Sequence, residues 1–339
     1  MMTGVGIVGA GGWGTALAVM LARRGVDVTL WARREQQVIA LDRDRENKAY
    51  LPGVALPPEI EVTKDLKAVA RHRRIILAVP SQVVATVWRD LVPFVTPDFS
   101  VINAAKGLEV GTGMRLSQTL AAVPSPMPKD RIAVLSGPNH AEEVGRGLPT
   151  TSVVASTDIA VAEAWQDILM GPEFRVYTNE DVIGVELGGA LKNVIALAAG
   201  ISDGLGFGDN TKAALITRGL AEMARLGAAM GANVLTFSGL AGMGDLIATC
   251  TSGHSRNTRA GRRIGMGEPV DAILGATSMV IEGVPTCRAA LGLALRNGVE
   301  MPITTAVGEV LFSGKSPSNA VSELMGRGPK DEFHAILSR

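Results

Sequence analysis

Cysteine is nearly missing. Cys250 and Cys287 are the only two in 339 residues. They form no C-x-x-C pair and build no ligand cluster with the four histidines. A disulfide framework and a structural zinc site are thereby excluded, which leaves two buried free thiols in a reducing compartment and no metal site. Net charge is missing too, since 33 Lys plus Arg balance 33 Asp plus Glu. A broad nucleic-acid surface needs a basic excess, so nucleic acid is not an expected partner. No uninterrupted apolar run of membrane-spanning length is evident, and no membrane span is expected. The apolar stretch Met2–Leu21 resembles a signal sequence only superficially. No charged segment precedes it, and Gly9, Gly11, Gly12 and Gly14 crowd its centre. Repeats and low-complexity tracts are also wanting. These absences describe a cytoplasmic chain, and its length exceeds one ordinary core and calls for two domains.

What is present starts with a dinucleotide-binding pattern. Val5-Gly6-Ile7-Val8 is a short apolar strand, Gly9-Ala10-Gly11-Gly12-Trp13-Gly14 follows at once, and a helix runs from about Thr15 to Arg24. Gly25 ends that helix as a C-terminal cap, and Val26–Trp31 is the next strand. Gly9 permits the tight turn, Gly11 lets the backbone approach a pyrophosphate, and Gly14 lets helix and strand pack closely. The free N–H groups and positive dipole end of the helix then face the anion. Beyond the second strand, where an NAD-selective site usually carries an acid, this chain has Arg33-Arg34. Two guanidinium groups suit a 2′-phosphate, so NADP is the expected preference over NAD.

Further apolar strands are expected at Arg74–Val79, Ser100–Ala105, Ile132–Leu135, Thr151–Ser156 and Phe174–Tyr177, with helices between them. Near-continuous apolar strands of this kind predict a parallel sheet covered on both faces. Pro80, Lys106 and Gly137 fall just past strand ends, where ligands gather in such sheets. After Asp181 the strand pattern stops, and helices are predicted near Val182–Ala199, Asn210–Met230, Val284–Asn297, Ile303–Phe312 and Ser318–Met325. The fold class is therefore α/β: an N-terminal Rossmann-like dinucleotide-binding domain, 1–180, with a C-terminal all-helical domain, 181–339. The cleft between domains is the default place for a small substrate.

The first helix of the second half has no polar face, yet it holds Lys192 and Asn193 at its centre. A buried ammonium is costly unless it is paired or faces a cleft; a lysine that snorkels outward on its stem is the alternative. Leu240–Leu246 is a glycine-bent turn presenting Asp245, which reads either as a site carboxylate or as the N-cap of the next helix. Ser255-Arg256-Asn257 opens a helix rich in Arg259, Arg262 and Arg263; a serine cap, free N–H groups and an arginine suit a phosphate. Arg262 reads as part of a solvated basic face. The loop Val280-Ile281-Glu282-Gly283 offers one glutamate.

With these residues assembled, the chain resembles NAD(P)-dependent glycerol-3-phosphate dehydrogenase of the bacterial type over nearly its full length. The resemblance rests on eight blocks in order: Gly9–Ala16, Ala104–Glu109, Ser136–Glu143, Leu187–Ala196, Leu215–Met223, Gly242–Leu246, Ser255–Asn257 and Val280–Gly283. It implies reversible hydride transfer between NAD(P)H and dihydroxyacetone phosphate to form sn-glycerol 3-phosphate, a glycerophospholipid precursor. Lys192 then matches the general acid/base. Lys106, Gly137, Asn139, Asp245, Ser255, Arg256 and Asn257 match substrate-pocket positions, with Lys106 and Arg256 also touching the cofactor. Gly12, Trp13, Arg33, Ala141, Val280 and Glu282 match cofactor contacts. Gly12 replaces the family's usual serine, Asn139 its serine or threonine, and His140 a common phenylalanine; His140 reads either as a packing residue or as a group that titrates near neutrality. A homodimer is compatible with the resemblance. Two other readings compete: a hydroxyacid dehydrogenase on the same plan, which needs no phosphate helix, and a non-catalytic cofactor sensor, which needs neither Lys106 nor Lys192.

Overall fold

Residues 4–277, 279–329 and 332 are described in a computed structural model. Ten strands occur in its first half: β1 (Val5–Val8), β2 (Val28–Trp31), β3 (Glu46–Asn47), β4 (Leu51–Ala55), β5 (Glu61–Thr63), β6 (Arg74–Leu77), β7 (Ser100–Asn103), β8 (Ile132–Ser136), β9 (Thr150–Ser156) and β10 (Phe174–Asn179). Eight of them form one sheet in the order β10-β9-β8-β7-β6-β1-β2-β5, while β3 and β4 make a separate hairpin. β1 is buried throughout, and Ile7 stands opposite Leu30 on one side and Ile76 on the other. The chain builds β2 and β5 on one flank of β1 and returns to the other for β6, β7 and β8. This reversal makes the carboxyl end of β1, where Gly9 follows, the switch point of the sheet.

The expectation of a parallel sheet needs correction. β8 and β9 are antiparallel, with Val134 opposite Ala155, and β10 runs with β9. The connection holds one short helix, Ala141–Arg146, which ends at Gly147 in the left-handed conformation, φ +76°. The chain turns there and enters β9 beside the end of β8, so that Ser136 stands opposite Val153.

The chain divides into two compact units, Met1–Ala105 with Leu116–Val182, and Lys106–Arg115 with Ile183–Arg339. Strand–helix alternation assigned Lys106–Arg115 to the first domain; it packs instead with the second. Leu108 is fully buried in the helical core, and Arg115 pairs with Glu186.

The helical unit is built round the helix Val182–Gly204, five residues longer at its C-terminus than the sequence pattern suggested. This helix is long and apolar enough to cross a membrane by length and composition only, and Glu186 and Lys192 interrupt its apolar run. Its apolar window is 94% buried inside the protein, as befits a core helix. Leu187, Leu191, Val194 and Ile195 are each at most 1% exposed. Near its end it crosses the helix Arg256–Gly265 through paired glycines. A Cβ at Gly200 would strike the Thr258 carbonyl oxygen, one at Gly204 the Arg262 carbonyl oxygen, and one at Gly265 the Ile201 carbonyl oxygen. The two backbones therefore touch without side chains between them.

Glu222, on the helix Asp209–Ala229, caps the helix Pro302–Ser313 from outside. Its carboxylate accepts the Ile303 N–H at 2.6 Å, and the Thr304 N–H and hydroxyl at 3.1 Å each. Burial raises its pKa above the ordinary glutamate value, while these three bonds pull it back. Both cysteines are buried and free, and burial pushes their thiols up to about 12.

Candidate active site

In the first unit the glycine turn meets the helix Gly12–Arg23. Gly9 has φ +122°, a conformation that side chains disfavour. A Cβ at Gly14 would collide with the Gly9 carbonyl oxygen. Gly11, the N-cap residue, makes no side-chain cap bond, and a Cβ there would meet no atom within 4 Å. The first turn carries no acid. An uncapped helix start with open space before it and no opposing charge fits a pyrophosphate. Two amides fix the loop by donating to the Ala10 carbonyl, Gln37 Nε2 at 2.7 Å and Asn47 Nδ2 at 3.1 Å. The Trp13 indole nitrogen is buried with no partner among the described residues. A Cβ at position 12 would lie 2.7 Å from the Tyr50 carbonyl oxygen. The β3–β4 hairpin thus occupies the space that a serine would need. After β2, Arg33 is exposed and Arg34 donates to the Tyr50 hydroxyl at 2.9 Å.

Just past β8 stand Gly137, also with φ +122°, and Asn139, which is buried and donates to Ser152 Oγ at 2.9 Å. His140 precedes the helix Ala141–Arg146, and its carbonyl accepts the Glu143 and Val144 N–H groups. Gly137, Asn139 and Ala141 belong to the first unit; Lys106, Lys192, Asp245, Ser255, Arg256, Asn257, Val280 and Glu282 all belong to the second.

Within the second unit a buried charge cluster forms. Lys192 is 5% exposed, so it does not snorkel. Its Nζ donates to Asp245 Oδ1 at 2.8 Å and to Thr249 Oγ1 at 2.6 Å. Lys106 Nζ donates to the other oxygen, Asp245 Oδ2, at 2.8 Å. Asp245 is the first residue of the helix Asp245–Thr251 and is not its N-cap, which is Gly244. Burial works to raise the Asp245 carboxyl, but the two ammonium groups outweigh it and hold it below the ordinary range. Lys106 is pushed down to about 8, chiefly by burial and further by Lys192, against the upward pull of Asp245. An ammonium has three N–H donors. Two of those on Lys192 are taken, and no partner for the third occurs among the described residues.

Thr249 carries no motif and escapes sequence reading. Its only signal is its place four residues after Asp245, one turn along the same helix face. It also joins this cluster to the next. Its carbonyl accepts the Thr258 hydroxyl proton at 2.8 Å, and Ser255 Oγ lies within hydrogen-bond distance of the same hydroxyl oxygen at 2.9 Å. Ser255 Oγ caps the helix Arg256–Gly265 by accepting the Thr258 N–H at 3.1 Å. A second relay starts beside Lys192. Asn257 Nδ2 donates to Asn193 Oδ1, and Asn257 Oδ1 accepts the Gly283 N–H, both at 2.9 Å. Arg256 Nη1 donates to the Val280 carbonyl at 2.6 Å. Glu282 starts the helix Gly283–Asn297, its carbonyl accepting the Thr286 N–H. Arg262 points outward to Asp203, with its side chain 56% exposed, as a solvated face requires. No metal-ligating group of three or more side chains is found among the described residues.

Two family models match this chain. NAD-dependent glycerol-3-phosphate dehydrogenase N-terminus covers residues 4–162, and the C-terminus model of the same name covers 181–322. A relative from Moorella thermoacetica named glycerol-3-phosphate dehydrogenase, NAD(P)+, is 55% identical over 96% of this chain and 97% of its own. The crystal structure of a glycerol-3-phosphate dehydrogenase from Coxiella burnetii superposes with TM-score 0.91 at 39% identity, covering 96% of this chain and 99% of that one. A ketopantoate reductase from Ralstonia eutropha reaches TM-score 0.60 at 15% identity, covering 94% of this chain and 99% of its own, which shows a shared fold alone.

Proposed function

Because the chain belongs to the NAD-dependent glycerol-3-phosphate dehydrogenase family, we propose that it reduces dihydroxyacetone phosphate to sn-glycerol 3-phosphate, reversibly, with Lys192 as the acid/base group. The observation that carries this reading is the unassigned third donor of the buried Lys192 ammonium. A carbonyl oxygen that gains negative charge needs a donor held in place beforehand. Asp245 Oδ1 and Thr249 Oγ1 fix the direction of that donor. When Lys192 passes its proton to the new alkoxide, Asp245 keeps Lys106 as a counter-charge, so no buried carboxylate is stranded. In the reverse direction neutral Lys192 accepts the proton.

A bound nicotinamide cofactor supplies the hydride. The glycine turn and helix start at Gly9, Gly11, Gly12, Trp13 and Gly14 suit its pyrophosphate, and Arg33 with Arg34 suit a 2′-phosphate, which supports a preference for NADP over NAD. The helix start at Ser255, Arg256 and Asn257 suits the substrate phosphate, and Gly137 and Asn139 complete the proposed substrate contacts. Ala141, Val280 and Glu282 are assigned to the cofactor, together with Lys106 and Arg256. Binding the remote phosphate positions the reacting carbon. Reduced, buried thiols at Cys250 and Cys287 accord with a cytoplasmic enzyme.

The test is NADPH oxidation with dihydroxyacetone phosphate, repeated with NADH and with 2-ketoacids. Turnover of the triose phosphate, faster with NADPH, is expected. Turnover of ketoacids alone would favour the hydroxyacid reading, and a higher kcat/KM with NADH would overturn the cofactor preference.

A further inference from the structure

The segment Lys106–Arg115 is folded on itself. The Glu109 N–H donates to the Met114 carbonyl at 3.0 Å, and the Gly113 N–H to the Glu109 carbonyl at 2.8 Å. The Glu109 carboxylate accepts the N–H groups of Gly111 at 3.0 Å and Thr112 at 2.6 Å. Leu108 and Arg115 bridge as an antiparallel pair. Three anchors then fasten this folded segment to the helical unit. Leu108 sits in its core, Arg296 Nη2 donates to the Thr112 carbonyl at 3.1 Å, and Arg115 Nη1 donates to Glu186 Oε2 at 2.6 Å.

The third anchor is chemically unusual. The Arg115 and Glu186 side chains are 11% and 4% exposed. Desolvation offsets most of the attraction in such a pair, so it is a weak source of stability compared with apolar packing. Its geometry is informative instead. Glu186 lies on the helix that carries Lys192, six residues earlier and about 9 Å away along the axis. Arg115 is bridged to Leu108, two residues from Lys106. The ion pair therefore ties the segment bearing one lysine to the rigid element bearing the other.

We propose that Arg115 and Glu186 are positioning residues, which hold the Lys106–Arg115 segment in the register that lets Lys106 share Asp245 with Lys192. This rests on the proposed function for its catalytic consequence, but its geometric content is independent of the substrate. Asp245 and Lys192 are charged groups that act on Lys106. Releasing the segment returns Lys106 to solvent and to an ordinary ammonium titration, and leaves Asp245 with a single ammonium partner, Lys192.

The experiment compares wild type with Arg115→Met, Glu186→Gln and Arg115→Lys. Lys106 is followed by the pH dependence of acetic anhydride labelling, read by mass spectrometry with no substrate present. In wild type the midpoint is expected at about 8, and in Arg115→Met it moves towards the ordinary 10.5. In steady state Arg115→Met is expected to lower kcat/KM for dihydroxyacetone phosphate by about 10- to 100-fold, with most of the loss restored in Arg115→Lys. Should Arg115→Met not fold, Glu186→Gln, which keeps the shape of the side chain, carries both measurements with the same expectation. A Lys106 midpoint that stays near 8, or a loss of kcat/KM that Arg115→Lys does not restore, would overturn the proposal. If wild type itself fails to turn over dihydroxyacetone phosphate, the functional reading falls while the labelling result still decides the positioning.

Discussion

Lys192 Nζ and Asp245 Oδ1 lie 2.8 Å apart, and the second oxygen of the same carboxylate is taken by Lys106, also at 2.8 Å. One carboxylate thus serves two buried ammonium groups. An isolated buried carboxylate would be driven towards its neutral form, and two unscreened lysines would repel. The shared arrangement removes both problems and leaves a single excess positive charge, next to the donor that no described residue uses.

Replacing Lys192 by Ala removes that donor without touching the glycine turn. Turnover is expected to fall by about 10²- to 10⁴-fold, with NADPH affinity preserved. Stopped-flow and fluorescence titration check the two halves of this statement, and retained kcat would remove Lys192 from the acid/base role.

Lys106 supplies a pH signature. Its ammonium, pushed down to about 8, is kept below that pH and lost above it. The kcat/KM profile is therefore expected to fall as pH rises through about 8, and Lys106→Met should lack this break. Stability moves the other way. Between about 8 and the ordinary 10.5 the unfolded chain holds a proton that the folded chain has released, so this group makes unfolding harder as pH rises across that window. Urea titrations across the window, wild type against Lys106→Met, test the sign.

Arg256→Ala should raise KM for dihydroxyacetone phosphate by about tenfold or more, as loss of a charge-assisted phosphate contact would, while the fold survives because the lost bond to the Val280 carbonyl lies at an exposed position. An unchanged KM would take Arg256 out of the phosphate site.

Gly200→Ala sets two effects against each other. Alanine favours the helix by about 0.8–1.0 kcal/mol over glycine, but its Cβ would strike the Thr258 carbonyl oxygen. Backbone cannot yield as a side-chain tip does, so a net loss of about 1–3 kcal/mol is expected. A rise in Tm would show that the helices separate freely.

Glu222→Ala leaves the buried N–H groups of Ile303 and Thr304 unpartnered. Each such donor costs about 1–3 kcal/mol, so a clear fall in the urea midpoint is expected, with the substrate KM of the remaining folded enzyme unchanged.

Local chemistry was readable from the chain, and distant pairing was not. Gly9, Gly14 and Gly25 announce a turn, a close contact and a helix end because each requires a residue without Cβ, and the structure has all three. The apolar periodicity around Leu187, Leu191 and Ile195 likewise predicts a buried helix. The direction of β9 depends on where the chain turns after a six-residue helix that has no strong sequence signal. Leu108 and Arg115 look like loop residues until Glu186 and the helical core are brought beside them. Thr249 gains its meaning only from the ammonium above it. Asn257 is similar: nothing in the chain announces that its amide spans Asn193 and Gly283.

The glycine crossing between Val182–Gly204 and Arg256–Gly265 acts as a gauge block. The helix bearing Lys192 and the helix starting at Ser255 are spaced by main chain against main chain at Gly200, Gly204 and Gly265. No rotamer change or trimmed side chain can draw them closer, and any added side-chain atom at these glycines wedges them apart. The spacing between the helix of the ammonium and the helix of the capped start is therefore set by main chain at this crossing, and a side chain added at these glycines would disturb it.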